Sequence, residues 1–208
     1  MTKLRIGFSP CPNDTFIFDA LIHGKIDTEG LEFDVCMADV EELNLMAFRG
    51  ELDITKLSYH AFLHILEEYV MMDSGSALGN NCGPLLIKNV GDKNPIESDL
   101  IAIPGKYTTA NFLLNYAFPK LQNKQEVLFS DIESAIKNKQ VSAGLIIHEN
   151  RFTYADRGFE KVKDLGEDWE QSTGMPIPLG GIAIKRNFDK ALQEKVQRLI
   201  RKSIEFAF

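Results

Sequence analysis

The chain has 208 residues, 23 Lys+Arg against 30 Asp+Glu for a formal net charge of −7, and 44% hydrophobic residues, a globular composition that excludes a disordered or fibrous chain. An acidic chain without a Lys/Arg block gives no support to a nucleic-acid or anionic-membrane partner. No run reaches the roughly 18 apolar residues of a membrane span, the start Met1-Thr2-Lys3-Leu4-Arg5 lacks the apolar core of a signal peptide, and Cys11, Cys36 and Cys82 are too few and scattered for a disulfide framework or zinc site. The expectation is a soluble, reduced, cytoplasmic protein.

Residues 3–8 read as a first strand, ended by Ser9-Pro10-Cys11-Pro12, whose alternate prolines predict a rigid loop. Asn13-Asp14-Thr15 then offers caps for a helix with Phe16, Ile17, Ala20 and Leu21 on its apolar face and Gly24 as its stop. Leu31–Met37 alternates like a half-buried strand, and Asp39 caps a helix that turns Val40, Leu43, Leu45, Ala47 and Phe48 inward. Residues 52–57 form a short strand, Ser58 a cap, 59–69 a helix with Phe62, Ile65 and Leu66 facing in, and 69–72 another short strand. A Gly-rich loop over 74–84 leads to Leu85-Leu86-Ile87. Such alternation predicts an α/β protein with a mostly parallel sheet.

Polar residues 90–98, with Gly91 and Pro95, are the expected linker into a second α/β series. There 100–103 is a strand, 108–118 a helix ended by Pro119, 126–129 a strand and 131–137 a short helix. Residues 143–147 are apolar throughout, as in a strand buried on both faces. A segment at 159–165, a helix over 167–172 and a strand over 179–184 follow, the last returning to the first domain. The expected division is a discontinuous first domain, 1–90 plus 180–208, and a second domain, 91–179. Residues 188–208 form one amphipathic helix with Leu192, Val196, Leu199, Ile200, Ile204 and Ala207 inward. It stops at Phe206-Ala207-Phe208 without Gly, polar tail or cap. The expectation is therefore a truncated chain whose exposed Leu199, Ile200, Ile204 and Phe208 face self-associates, as in a homodimer.

In an open α/β sheet, ligands bind beyond the carboxyl ends of strands, where helix N-termini point N–H groups at anions. Three segments qualify: 9–15 after the first strand, Thr55-Lys56-Leu57-Ser58-Tyr59, and Gly105-Lys106-Tyr107-Thr108-Thr109-Ala110. They suit a carboxylate, although Ser58, Thr108 and Thr109 can equally be plain helix caps. None is a Walker loop or a dinucleotide fingerprint. His148 directly follows the apolar strand and precedes Glu149-Asn150-Arg151, which puts an imidazole suited to proton transfer near neutral pH at a strand's carboxyl end; a purely structural histidine is the competing reading. His60 and His64 have metal-ligand spacing but no third ligand or HExxH pattern. Cys11, beside a helix start, reads as a structural thiol.

The blocks Arg5-Ile6-Gly7-Phe8-Ser9-Pro10-Cys11-Pro12-Asn13-Asp14-Thr15-Phe16, Thr55-Lys56-Leu57-Ser58-Tyr59 and Ala143-Gly144-Leu145-Ile146-Ile147-His148-Glu149, with Arg151-Phe152-Thr153-Tyr154, resemble the 1,4-dihydroxy-6-naphthoate synthase family of the futalosine route to menaquinone. The resemblance implies a two-domain α/β fold of the periplasmic-binding-protein type (type II) with an inter-domain cleft. It implies a lyase that converts cyclic dehypoxanthinylfutalosine to 1,4-dihydroxy-6-naphthoate and dihydroxyacetone, with no cofactor and no metal. The family's proton acceptor falls on His148 and its substrate contacts on Lys56, Leu57, Ser58, Thr109 and Ala110; Ser9, Asn13, Asp14, Thr108 and Glu149 are further candidates around the cleft. Family members continue for several dozen mostly helical residues beyond Phe208. The expected partner is a small-molecule carboxylate, with no nucleic acid and no membrane. Two other readings stand beside this one: a solute-binding protein of the same fold without catalysis, and the related chorismate dehydratase, against which the first and third blocks count.

Overall fold

A computed structural model describes residues 2–208, except the side chain of Glu149. In chain order the elements are β1 (Thr2–Phe8), α1 (Pro12–Ile22), β2 (Leu31–Met37), α2 (Val40–Phe48), β3 (Ile54–Ser58), α3 (Tyr59–Phe62), β4 (Tyr69–Met71), β5 (Ala77–Gly79) and β6 (Leu85–Asn89). There follow β7 (Ile101–Ile103), α4 (Thr109–Ala117), β8 (Lys124–Glu126), α5 (Ile132–Lys137), β9 (Ala143–Ile146), β10 (Phe159–Asp164), α6 (Leu165–Thr173), β11 (Ile177–Lys185) and α7 (Lys190–Ala207). They make two compact units, one of residues up to Ala77 with Gly180–Phe208, the other Leu78–Leu179.

The first unit is built on a sheet ordered β2-β1-β3-β11-β4, with β5 also paired to β11. β1 runs parallel to β2 and β3, whereas β11 is antiparallel to β3 and β4. Its core takes Leu4, Ile6 and Phe8 from β1, Phe18 and Leu21 from α1, Ile182 and Ile184 from β11, and Val196, Leu199 and Ile200 from α7. Phe8 stacks on Phe18 with ring centroids 4.6 Å apart. The second unit is built on the order β10-β6-β9-β7-β8. Here β6 is antiparallel to β9 and β10, while β7 is parallel to β8 and β9. One face packs Leu86, Leu145 and Ile101 with α4 and Leu165; the other packs Leu85, Ile87 and Ile146 with Ile132 and Ile136 of α5. All of β9 is buried, as its unbroken apolar run requires.

Several expectations change. The sheets are mixed rather than mostly parallel, because β6, β10 and β11 each run against their neighbours. The first crossing falls at residues 77 and 78, not at 90–98, since β6 is hydrogen-bonded into the second sheet. α1 begins at Pro12; its missing N–H costs nothing in the first turn, where no intrahelical acceptor exists. Phe18 rather than Phe16 fills the core beneath that helix, and Phe16 is exposed. α3 ends at Phe62 after one turn. Buried Ala61, Ile65 and Tyr69 keep a four-residue spacing that mimics a helix, but the chain there closes in turns such as His64 N–H to Ala61 O. The second predicted strand of the second series lies earlier, at β8, and Phe129 opens a single 3-10 turn. Leu199 and Ile200 are fully buried in the first unit's own core and Ile204 packs against it, so the exposed face expected to drive self-association reduces to Phe206 and Phe208.

Candidate active site

In the first unit, the turn after β1 and the strand β3 bring Ser9, Asp14 and Lys56 together. Asp14 is buried and accepts both the backbone N–H of Ser9 at 3.1 Å and its hydroxyl at 2.7 Å through Oδ2. Its Oδ1 faces Lys56 Nζ at 3.2 Å, and Lys56 also donates to the Gly75 carbonyl at 2.9 Å. Lys56 and Asp14 thus form an ion pair shielded from water. Leu57 is fully buried, so it can offer a ligand only its backbone. Asn13 is exposed on the first turn of α1.

Ser58 ends β3. It occupies the N-cap position of α3 but makes no side-chain cap bond; its surroundings are set by Asn44 of α2 instead. Asn44 Oδ1 accepts the Ser58 N–H at 3.0 Å, and Asn44 Nδ2 donates to Ser58 Oγ at 3.4 Å and to Glu41 Oε2 at 3.0 Å. Ser58 Oγ therefore accepts a hydrogen bond. Sequence reading missed Asn44 and Glu41. The only signal was two polar residues three apart on a helix whose buried set is Glu41, Leu43, Asn44, Met46 and Ala47.

In the second unit, Thr108 caps α4: its Oγ1 accepts from Asn111 N–H at 3.2 Å and donates to Gly105 O at 2.8 Å. Thr109 donates its hydroxyl proton to Leu179 O at 2.8 Å, with Pro178 O at 3.2 Å. Both hydroxyl protons are committed. What the helix end offers an anion is the backbone N–H groups of Thr109 and Ala110, which have no acceptor within the first turn of any helix. Burial pushes the Lys124 ammonium, hydrogen-bonded to Asn111 Oδ1 at 3.0 Å, below the usual lysine value.

His148 follows β9 and opens a single 3-10 turn, His148–Phe152. Its backbone is left-handed, with φ 56°. The ring is half-buried and meets Phe129 edge to face, with centroids 5.4 Å apart. Arg151 in the same turn pairs with Asp164 at 2.9 Å and donates to the Gly83 carbonyl. Glu149's side chain lies outside the described residues. His60 and His64 pack edge to face at 5.3 Å, and among the described residues no group of three His, Cys, Asp or Glu could hold a metal ion.

Two α/β units linked by two chain crossings, each with one mixed sheet, define the solute-binding-protein type of fold. The alkanesulfonate-binding protein of Xanthomonas axonopodis pv. citri superposes with TM-score 0.73 at 13% identity, covering 100% of this chain and 73% of that one, a likeness of fold alone. Within that class the chain belongs to the menaquinone biosynthesis family, whose sequence profile matches residues 4–208. It is 42% identical over 207 residues to the 1,4-dihydroxy-6-naphthoate synthase of Thermus thermophilus, covering 100% of this chain and 75% of that protein. The enzyme of the same name from Streptomyces coelicolor is 39% identical over 210 residues, with 99% and 74% covered. A crystal structure of a protein from Archaeoglobus fulgidus superposes with TM-score 0.88 at 38% identity, covering 99% of this chain and 76% of that one. The chain thus spans about three quarters of the length of the relatives it matches.

Proposed function

We propose that this chain is a cytoplasmic carbon–carbon lyase that converts cyclic dehypoxanthinylfutalosine to 1,4-dihydroxy-6-naphthoate and dihydroxyacetone. The observation that carries the proposal is His148, an imidazole held at the end of a fully buried strand on a left-handed backbone. A non-glycine residue in that conformation is uncommon, and such backbone is found at functional sites when the surrounding structure imposes it. The reaction needs one proton taken from carbon beside a carbonyl, followed by C–C cleavage that is drawn forward by aromatisation. A neutral histidine has the basicity for the first step near pH 7. Each unit offers its own neutral donors for an oxygen of the substrate: the Ser58 hydroxyl in the first, and, taken by itself, the Thr109 and Ala110 N–H groups at the start of α4 in the second. Lys56, paired with Asp14, keeps the Ser9–Asp14 turn in place.

Both curated relatives carry the naphthoate synthase name, which favours this activity over chorismate dehydration. Incubating the purified protein with cyclic dehypoxanthinylfutalosine should yield the naphthoate and dihydroxyacetone. His148→Ala and His148→Asn should each lower turnover by about 10²- to 10⁴-fold, because neither side chain takes up the proton, while calorimetric substrate binding persists. Turnover of His148→Ala within a few-fold of wild type would remove His148 as the base. Binding without turnover in the wild-type protein would favour a solute binder.

A further inference from the structure

The left-handed backbone at His148 (φ 56°) is uncommon for a residue with a Cβ and persists only where its surroundings impose it. The turn that carries His148 closes on itself through Thr153 and Tyr154 N–H groups, both on Asn150 O. Arg151 ties that turn to the rest of the unit. Its Nη2 donates to Asp164 Oδ2 at 2.9 Å and its Nη1 to the Gly83 carbonyl, and the Arg151 and Asp164 side chains are only 12% and 10% exposed.

Both anchors are themselves fixed. Asp164 Oδ1 accepts the N–H groups of Gly166 and Glu167 at 3.0 and 3.1 Å, which locks the carboxylate to the first turn of α6. Gly83 lies against Gly166 so closely that a Cβ on it would fall 2.6 Å from Gly166 Cα. β6, which begins two residues after Gly83, pairs with β9 and with β10, the strand that Asp164 ends. One guanidinium therefore joins the turn after β9 to the approach to β6 and the end of β10.

We propose that Arg151 is a positioning residue for His148: its two-pronged bond to Asp164 and Gly83 holds the turn in the register that keeps His148 left-handed and its ring on Phe129. The proposal rests on His148 being the base. A lysine keeps the charge but is a single-point donor and cannot span both acceptors in fixed directions.

The test compares wild type, Arg151→Lys, Asp164→Asn and His148→Ala with the substrate named above. Arg151→Lys should lower kcat by about 10- to 100-fold, as expected for a slightly misplaced catalytic group, with KM within about three-fold of wild type. NMR resonances of the His148 ring, displaced by the Phe129 ring current in the wild type, should move toward those of free histidine. Asp164→Asn keeps the α6 cap acceptor and loses the ion pair; it should change kcat in the same direction and decides the matter if Arg151→Lys does not fold. A kcat within two-fold of wild type in a folded Arg151→Lys variant, with His148→Ala inactive, would overturn the proposal. So would a parallel loss of kcat, KM and melting temperature with the His148 resonances unmoved, the mark of a merely structural arginine. Failure of the base assignment shows separately, as an active His148→Ala variant, and takes the Arg151 proposal with it.

Discussion

At the scale of single residues, the strongest local determinant in the first unit is Asn44, which is fully buried and satisfies the Ser58 N–H, the Ser58 hydroxyl and Glu41 at once. Asn44→Ala would strand the Ser58 N–H, at a cost of about 1–3 kcal/mol for an unsatisfied buried group. It should raise KM more than it lowers kcat, since Ser58 is assigned to binding; urea unfolding and steady-state kinetics measure the two effects. Equal loss in kcat with unchanged KM would contradict the role given to Ser58. Thr108 as the cap of α4 and His148 at the end of β9 were legible because helix caps and strand-end histidines carry local signals. Asn44 was not, because its partner lies 14 residues away on another element. Arg151 was legible as part of a block but not as a clamp, since Gly83 lies 68 residues away. The Thr109 hydroxyl donates to Leu179 O, a partner 70 residues away that no local pattern announces.

At the scale of elements, the chain was legible wherever one period dominated. β1, β2, β9, α4 and α7 lie within a residue or two of their expected bounds, because each carries one unbroken hydrophobic pattern along its length. Pattern failed at α3, where a four-residue spacing arises from successive turns, and at β6, whose apolar run does not say which sheet it joins. Close backbone approach is equally silent in sequence until two glycines are seen to meet. Gly83→Ala would put a Cβ 2.6 Å from Gly166 Cα and 2.9 Å from its N, backbone atoms that cannot step aside as a side-chain tip would. The start of α6 should be pushed off the loop before β6, lowering the melting temperature; because Gly83 O accepts from Arg151, kcat should fall as well. An unchanged melting temperature would mean that the loop relaxes. By contrast, Thr108→Ala removes the α4 cap, costing about 1 kcal/mol, together with the hydroxyl's bond to Gly105 O, and Thr108→Ser should restore both in a thermal melt.

At the scale of the whole chain, the first unit is assembled from both ends of the sequence. Ser203 of α7 accepts the Leu21 N–H at 3.1 Å and donates to Ile17 O at 2.7 Å, contacts between residues more than 180 positions apart. Glu29, in the turn before β2, reinforces the same junction from outside: Arg198 bonds it at 2.6 Å and Lys202 at 3.1 Å. The hydrogen bond from Arg198, then that from Lys202, holds the Glu29 carboxyl down at about 2, against an ordinary value of 4.5. A carboxyl whose pKa is depressed by folding contributes stability above its unfolded value and loses it as pH falls through its folded value. The docking of α7 should therefore weaken progressively between about pH 4.5 and pH 2. The pair is solvent-exposed, so added salt should blunt the effect. Glu29→Gln should lower the melting temperature slightly at pH 7 and converge with wild type near pH 2. Melting curves collected across that range at low and high salt measure the convergence. Two profiles that remain parallel down to pH 2 would show that Glu29 takes no part in holding α7 to the first unit.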